Sequence, residues 1–185
     1  MAFRSRPMED DPLKGHAALR RGRFSAVGAT YFVTVSTDHH HVGLTRTGTA
    51  TAIHSEAKNL DTDMSWKLRC MTVMPDHVHL LVTLGDRLTL GKAIARLKSK
   101  TCGELQSAKI KWERGFYDRR LRAEDSLAAV LRYVYMNPHR TDPPLIHAGI
   151  NNAPWPWFYC ADKEWDIVRD TLNDDPSTYA WTDRM

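Results

Sequence analysis

The fold of this chain is decided by one stretch of its sequence, Lys67-Leu-Arg-Cys-Met-Thr-Val-Met-Pro-Asp-His-Val-His-Leu-Leu-Val-Thr-Leu84. Two apolar runs, residues 67–74 and 77–84, stand on either side of the Pro75-Asp76 pair. Runs of this composition are typical of strands, and a proline followed by an aspartate favours a tight turn. The stretch therefore predicts two neighbouring antiparallel strands joined as a hairpin.

On both sides of this hairpin, extended and helical patterns alternate. Tyr31-Phe-Val-Thr-Val-Ser36 is rich in β-branched and aromatic residues and predicts a strand. Residues 50–63 and 88–108 have apolar side chains at helical spacing and predict two amphipathic helices. Residues 112–121 alternate loosely between apolar and polar side chains, which indicates a fourth strand.

A last helix is predicted to open at Glu124 and Asp125, where acidic side chains favour the start of a helix, and to end at Pro138. The resulting order is β-α-β-β-α-β-α. Its first six elements match the ferredoxin-like split βαβ pattern, an α+β fold with helices on one face of an antiparallel sheet. A C-terminal extension follows.

The composition narrows the class of protein. The chain has 185 residues, 42% of them hydrophobic, and a net charge of +4. No apolar run approaches the ~18–20 residues of a membrane span, and no secretory signal is visible. Three scattered cysteines fit neither a disulfide framework nor a zinc motif. We therefore expect a cytoplasmic protein with no membrane partner.

Positive charge is concentrated in residues 87–122, which hold eleven Lys and Arg and three acidic residues. Such a block predicts a surface that faces phosphates, although a solvated helix face would have the same composition. Residues 1–22 are polar and predict an N-terminal basic arm. The candidates for contacting nucleic acid are Arg20, Arg21, Arg23, Lys92, Arg96, Lys100, Arg119 and Arg120.

Two histidines stand on the second strand of the hairpin, in His77-Val78-His79. Residues i and i+2 of a strand face the same way, so both imidazoles can reach one ion while Val78 points to the other face. In a chain with nine histidines such a pair also arises by chance. The pair is therefore a candidate metal site that needs further support.

The last helix contains a second candidate group, in Tyr133-Val-Tyr-Met-Asn-Pro138. Tyr133 and Asn137 lie one turn apart on one edge of its apolar face, whereas Tyr135 falls on the opposite edge. A helix cap at Asn137 and an aromatic residue at the rim of the core at Tyr133 are the structural alternatives. Together with the two imidazoles, an amide oxygen could hold Mg²⁺ or Mn²⁺, and the phenol could attack a phosphate bound there.

Three separated motifs resemble, in order and spacing, those of the REP-associated tyrosine transposases, a branch of the single-tyrosine HUH transposases. They are Met74-Pro-Asp-His-Val-His-Leu-Leu81, Trp112-Glu-Arg-Gly-Phe-Tyr-Asp118 and Tyr133-Val-Tyr-Met-Asn-Pro138. The resemblance covers about residues 20–142, and asparagine rather than glutamine at position 137 points to this branch. The chain departs from the family pattern after Pro138.

This resemblance implies that His77 and His79 are the HUH pair, that Asn137 is the third metal ligand and that Tyr133 is the nucleophile. It implies an enzyme that cleaves and rejoins single-stranded DNA at REP-type hairpins through a 5′-phosphotyrosine, with Mg²⁺ or Mn²⁺ as cofactor. It also implies a bacterial, nucleoid-associated protein. The sequence leaves open whether this protein is a monomer or a homodimer. The HUH domain is expected to span residues 23–144, and residues 145–185 form a tail of unknown role.

Two other functions stay open at this stage. One is a hairpin-DNA-binding protein with little or no cleavage activity. The other is a zinc hydrolase using His77 and His79, although no Asp or Glu lies at a motif spacing for a third ligand. Asp76 is expected to be a turn residue that points away from His77, and His39-His40-His41 an exposed loop.

Overall fold

The computed structural model describes residues 25–141, 143–146 and 155–174. In these ranges lie the strands β1 (Thr30–Ser36), β2 (Trp66–Val73), β3 (His77–Leu84), β4 (Tyr117–Arg120) and β5 (Phe158–Cys160). They also contain the helices α1 (Thr47–Thr62), α2 (Leu90–Ser107), α3 (Leu127–Arg140) and α4 (Asp162–Leu172), and a 3-10 turn at Asp38–His40. No helix of the described ranges is both long and apolar enough to cross a membrane.

All five strands belong to one antiparallel sheet, in the order β4-β1-β3-β2-β5. The predicted hairpin is confirmed, because β2 and β3 pair directly and Val73 lies opposite Val78 next to the turn. β1 then pairs with the other edge of β3, which makes β3 the central strand. This position explains why β3 is apolar along most of its length, since both of its faces are covered.

The two predicted helices of the split βαβ pattern pack on one face of the sheet. Val33 and Val35 of β1 and Leu80 of β3 meet Ile53 of α1 and Leu97 of α2 in a continuous buried cluster. Val33 and Val35 are two apart in sequence, as the alternation of side chains along a strand requires. The ferredoxin-like α+β fold predicted from the sequence is therefore confirmed, with α1 and α2 on a common face.

The opposite face of the sheet is covered by α3 and α4, and is called the α3 face below. Phe32 of β1 and Leu81 of β3 pack there against Val130 and Val134 of α3, with Val168 of α4 beside them. The sequence predicted helices on one face only, whereas β1 and β3 carry large apolar side chains on both. The additional layer is what brings α3, with Tyr133 and Asn137, over the strand that holds the two histidines.

Part of the C-terminal tail extends this domain. Residues 155–174 form β5, which pairs with β2 at the edge of the sheet, and α4, which packs against α3. Glu164 of α4 is buried and accepts a hydrogen bond from Arg69 of β2 at 2.9 Å. The tail therefore completes the cover of the α3 face.

The fourth strand is shorter than its loose alternation suggested. It spans Tyr117–Arg120 instead of residues 112–121, because Trp112 forms only an isolated bridge with Thr37. Lys98 donates from its ammonium group to the carbonyls of Glu113 and Gly115, which a strand partner would otherwise satisfy. A lysine side chain thus replaces part of the expected strand pairing.

The last helix begins later than predicted, at Leu127, because Ser126 is its N-cap and its hydroxyl accepts from the Ala129 amide at 3.2 Å. Asp125 instead accepts from the Arg122 amide and pairs with Arg119.

The helix also runs through Pro138 to Arg140, so the prediction that Pro138 ends it is wrong. Proline lacks an amide donor, but two further residues keep helical backbone before the helix ends.

Gly85 gives a test of this packing. A Cβ at this position would lie 1.9 Å from the carbonyl oxygen of Met64, while the Gly85 amide donates to the Ser65 carbonyl at 3.0 Å. We expect Gly85→Ala to lower the free energy of unfolding by about 3 kcal/mol, because backbone atoms must shift. Gly103→Ala is the control, since a Cβ there meets no atom within 4 Å and alanine favours the helix. Urea titration of both variants measures the difference, and an unchanged midpoint for Gly85→Ala would contradict the packing.

Candidate active site

The two histidines of β3 lie side by side on the α3 face. His77 pairs with Ser36 and His79 with Thr34 across the β1–β3 ladder, and Val78 between them is buried among the residues of the opposite face. The Nε2 atoms of His77 and His79 are 3.1 Å apart, and their ring centroids are 4.6 Å apart. The strand thus directs both imidazoles at one point, as the spacing predicted.

The other ring nitrogen of each histidine is held by a neighbour. His77 Nδ1 lies 2.7 Å from a carboxylate oxygen of Asp76, and His79 Nδ1 lies 3.0 Å from the Thr34 hydroxyl. The expectation that Asp76 points away from His77 is therefore wrong, because Asp76 lies in the turn, where the alternation of strand faces does not apply. Thr34 and Asp76 are residues that the sequence reasoning missed, and only the pairing of β1 with β3 identifies Thr34.

His79 is held in its neutral form. Its side chain is buried, with its ring stacked on Phe32 at 5.2 Å between centroids. Burial, and then the neighbouring His77, lowers the pKa of His79 to about 3. A neutral imidazole keeps the lone pair that a metal ion needs, so His79 is available as a ligand at any physiological pH.

Asn137 reaches the same point from α3. Its amide nitrogen donates to the Tyr133 carbonyl at 2.7 Å, which fixes the orientation of the amide group. A side-chain interaction between Asn137 and His79 raises the pKa of the imidazole, although less than burial lowers it. Since the amide nitrogen is used by the Tyr133 carbonyl, the amide oxygen is the Asn137 atom that remains available as a ligand.

Tyr133 lies beside the histidines, whereas Tyr135 does not. The ring of Tyr133 contacts His79 at 5.6 Å and Phe32 at 5.7 Å between centroids. Tyr135 is buried on another side of α3, against Phe158 of β5 at 5.1 Å. The two tyrosines therefore lie on different sides of α3, and only the Tyr133 ring contacts His79.

The residues present fit a divalent ion. Ligands about 2.1 Å from an octahedral ion and at right angles to each other are about 3.0 Å apart, close to the 3.1 Å between the two Nε2 atoms. Among the described residues no group of three His, Cys, Asp or Glu side chains is placed to bind a metal. The third protein ligand would therefore be the Asn137 oxygen. The alternative function, a zinc hydrolase, would need an acidic third ligand, and the described residues place none beside the two histidines.

The basic residues named from the sequence fall into separate groups. Arg119 of β4 lies opposite Phe32, so it belongs to the α3 face, and its guanidinium pairs with Asp125 at 2.6 Å. Arg120 is exposed, and with Arg119 and Arg122 it lines an open cleft of ≈ 660 Å³. This cleft lies on the edge strand next to β1, two strands from the histidines.

The remaining basic candidates are not part of this cleft. Lys92 and Lys100 are exposed on α2, the helix that covers the opposite face of the sheet. Arg96, also on α2, pairs with Glu56 of α1 at 2.7 Å and with Asp63 after it. Arg20, Arg21 and Arg23 lie outside the described residues.

The contacts of Arg96 predict that it stabilises the fold. Its partner Glu56 is buried, with 6% exposure, so removing the guanidinium leaves a carboxylate without its cation. We expect Arg96→Ala to lower the free energy of unfolding by about 2 kcal/mol, whereas Lys92→Ala, on the exposed side of the same helix, changes it by less than about 0.5 kcal/mol. Thermal unfolding of both variants tests this, and equal stabilities would contradict it.

The chain is similar to one protein family and to several solved structures. The family model described as IS200-like transposase matches residues 28–137, which run from just before β1 to Asn137. A REP-associated tyrosine transposase, solved bound to a REP hairpin, has 19% sequence identity and a TM-score of 0.59, over 74% of this chain and 79% of that one. A structure from Deinococcus radiodurans, provisionally assigned as a transposase, has 20% identity and a TM-score of 0.45, over 62% and 95%. No curated protein matches significantly.

Proposed function

The chain belongs to the IS200-like transposase family, and from this we propose that it cleaves and rejoins single-stranded DNA through a covalent phosphotyrosine at Tyr133. The observation that supports this most strongly is the meeting of four side chains from two elements. His77 and His79 come from β3, and Asn137 and Tyr133 come from one edge of α3. Phosphoryl transfer to a tyrosine requires a metal site with an aromatic hydroxyl close to it.

His77, His79 and Asn137 would hold Mg²⁺ or Mn²⁺ through two imidazole nitrogens and an amide oxygen. When bound, the ion polarises the scissile phosphate and stabilises the charge that develops on its oxygens. The chain itself supplies orientation. Thr34 contacts Nδ1 of His79 and Asp76 contacts Nδ1 of His77, so the Nε2 atoms of both histidines are left to bind the ion. Phe32 stacks on the His79 ring and excludes water from that side of it.

Tyr133 is the nucleophile of the proposed reaction. Its hydroxyl oxygen attacks the phosphorus of one phosphodiester, and the bond from that phosphorus to the 3′ oxygen breaks. The phenol gives up its proton, and the 3′ oxygen takes up one proton to leave as a hydroxyl. The 5′ phosphate is then esterified to Tyr133, so the energy of the phosphodiester is retained and attack by a 3′ hydroxyl can rejoin the strand.

We propose that the substrate is a single strand that carries a REP-type hairpin. The structural relative with a REP hairpin bound is the precedent for this choice of DNA. The cleft lined by Arg119, Arg120 and Arg122 offers cationic side chains to the phosphates on the edge of the same sheet. Exposed Lys92 and Lys100 on α2 are candidates for weaker, non-specific contacts.

The test uses a 5′-labelled and a 3′-labelled version of one hairpin oligonucleotide with a single-stranded flank, incubated with the full chain and Mn²⁺. The proposal predicts a protein–DNA adduct that survives denaturing gels and carries the label on the 3′ side of the break, with a free 3′ hydroxyl on the other fragment. EDTA should abolish it. Tight, salt-sensitive hairpin binding without any adduct in Mg²⁺ or Mn²⁺ would favour a binding protein instead.

A further inference from the structure

The segment that joins β1 to α1 is fastened to the turn that precedes His77. The Thr37 amide donates to the Asp76 carbonyl at 2.8 Å, and the Gly43 and Leu44 amides donate to the Pro75 carbonyl at 2.8 and 2.9 Å. These bonds use only the backbone of the turn, so they leave the Asp76 side chain available. The two segments therefore form one rigid unit next to the candidate metal site.

The carboxylate of Asp76 lies between two imidazoles within this unit. One oxygen is 2.7 Å from His77 Nδ1, and the other is 2.9 Å from His40 Nδ1. An aspartate side chain is ordinarily ionised at neutral pH, since the pKa of an unperturbed carboxyl of this kind is about 3.9. An ionised carboxylate can only accept hydrogen bonds, and therefore both Nδ1 atoms must carry a proton.

His39 and His40 have an unfavourable backbone conformation, which places the His40 ring against Asp76. His39 and His40 both have φ of 54°, in the left-handed region that residues other than glycine rarely adopt. Such a conformation costs about 1–3 kcal/mol for each residue and persists only where surrounding contacts enforce it. Here it turns the His40 ring back onto Asp76, while the neighbouring Asp38 pairs instead with Lys111 at 2.9 Å.

We propose that Asp76 and His40 are positioning residues for His77. Asp76 keeps the proton of His77 on Nδ1, which leaves the Nε2 lone pair for the metal ion, and His40 holds the carboxylate in the required orientation. A neutral histidine without such an acceptor distributes its proton over both nitrogens, and a protonated Nε2 cannot bind a metal. This inference rests on the proposed function, because it concerns the metal site of that reaction.

The experiment compares Asp76→Ala, Asp76→Asn and His40→Ala with the unchanged chain. Mn²⁺ affinity is measured by the loss of the free-ion signal in electron paramagnetic resonance. The tautomer of His77 is read from long-range ¹H–¹⁵N spectra of histidine-labelled protein without metal. We expect Asp76→Ala to weaken Mn²⁺ binding 10- to 100-fold and to move the His77 proton from Nδ1 toward Nε2. His40→Ala should weaken binding severalfold, and Asp76→Asn, which preserves the shape of the turn, should fall between the two.

Asp38→Asn is the matched control, since it removes a carboxylate from the same segment that does not contact His77. It should leave both the tautomer and the Mn²⁺ affinity unchanged. Mn²⁺ binding within twofold of the original in Asp76→Ala and Asp76→Asn, or weaker binding with the His77 tautomer unaltered, would overturn the inference. An unchanged chain that binds Mn²⁺ but forms no DNA adduct would overturn the proposed function and leave this positioning role intact.

Discussion

Tyr133→Phe is expected to abolish the covalent protein–DNA adduct, with a loss of at least about 10³-fold in its rate of formation. The substitution removes one hydroxyl oxygen, which is the atom that forms the new bond to phosphorus. The phenyl ring that remains can keep the contacts with His79 and Phe32, so the site and the helix should stay in place. Hairpin affinity measured by fluorescence anisotropy should therefore change by less than about threefold.

Tyr135→Phe is the matched control for this experiment. It removes the same atom from the same helix two residues away, where the ring packs against Phe158 and Trp165. Its adduct should form at a rate close to that of the original chain, measured on denaturing gels under identical conditions. If Tyr135→Phe lost the adduct while Tyr133→Phe kept it, the assignment of the nucleophile would have to be reversed.

The second large effect is expected from His77→Ala, which removes one of the proposed metal ligands. We expect Mn²⁺ affinity to fall at least about 100-fold, because only two of the three proposed protein ligands remain. Losing a residue that merely hydrogen-bonds to a ligand costs about 10- to 100-fold in affinity, and losing a ligand itself should cost more. Adduct formation should fall in parallel at limiting Mn²⁺ concentrations. Isothermal titration calorimetry with Mn²⁺ and the gel assay measure the two quantities.

His77 suits this test better than His79, because its side chain is partly exposed, at 23%, whereas His79 is buried against Phe32. Truncation at His77 should therefore leave the fold intact, which thermal unfolding without metal can check. His41→Ala, in the exposed part of the preceding segment, is the control. Equal Mn²⁺ affinities in the two variants would exclude His77 as a ligand.

The parts of this structure that local sequence determines were predictable. The hairpin followed from two strand-forming runs around Pro75-Asp76, and its register put His77 and His79 on one face. The relation of Tyr133 to Asn137 followed from the turn of a helix. In each case, residues that are close in sequence fix the geometry, so spacing alone carried the information.

Contacts between distant parts of the chain were not predictable in the same way. Arg96 was identified as a basic residue facing phosphate, but Glu56, 40 residues earlier, is its ion-pair partner. Likewise, Thr34 reaches His79 only because β1 pairs with β3. Such partners depend on strand order and helix packing, which a single sequence does not specify.

The packing of α4 on the α3 face of the sheet is another feature that the sequence did not predict. α4 is amphipathic and packs Val168 against the cluster around Phe32 and Leu81, but its segment matched no part of the recognised family pattern. The helix limits also differed, because Ser126 provides the N-cap and two residues after Pro138 keep helical backbone. The start of α3 is thus set by a local hydrogen bond at Ser126, whereas the position of α4 depends on its packing against α3.

The central claim is that Tyr133 becomes covalently attached to DNA, and peptide mapping of the adduct tests it most directly. Trypsin should release residues 133–140, Tyr-Val-Tyr-Met-Asn-Pro-His-Arg, which contain both Tyr133 and Tyr135. After nuclease trimming of the DNA, fragmentation mass spectrometry can separate the two tyrosines. We predict a nucleotide phosphate on Tyr133 and none on Tyr135, and a modification on any other residue would contradict the claim.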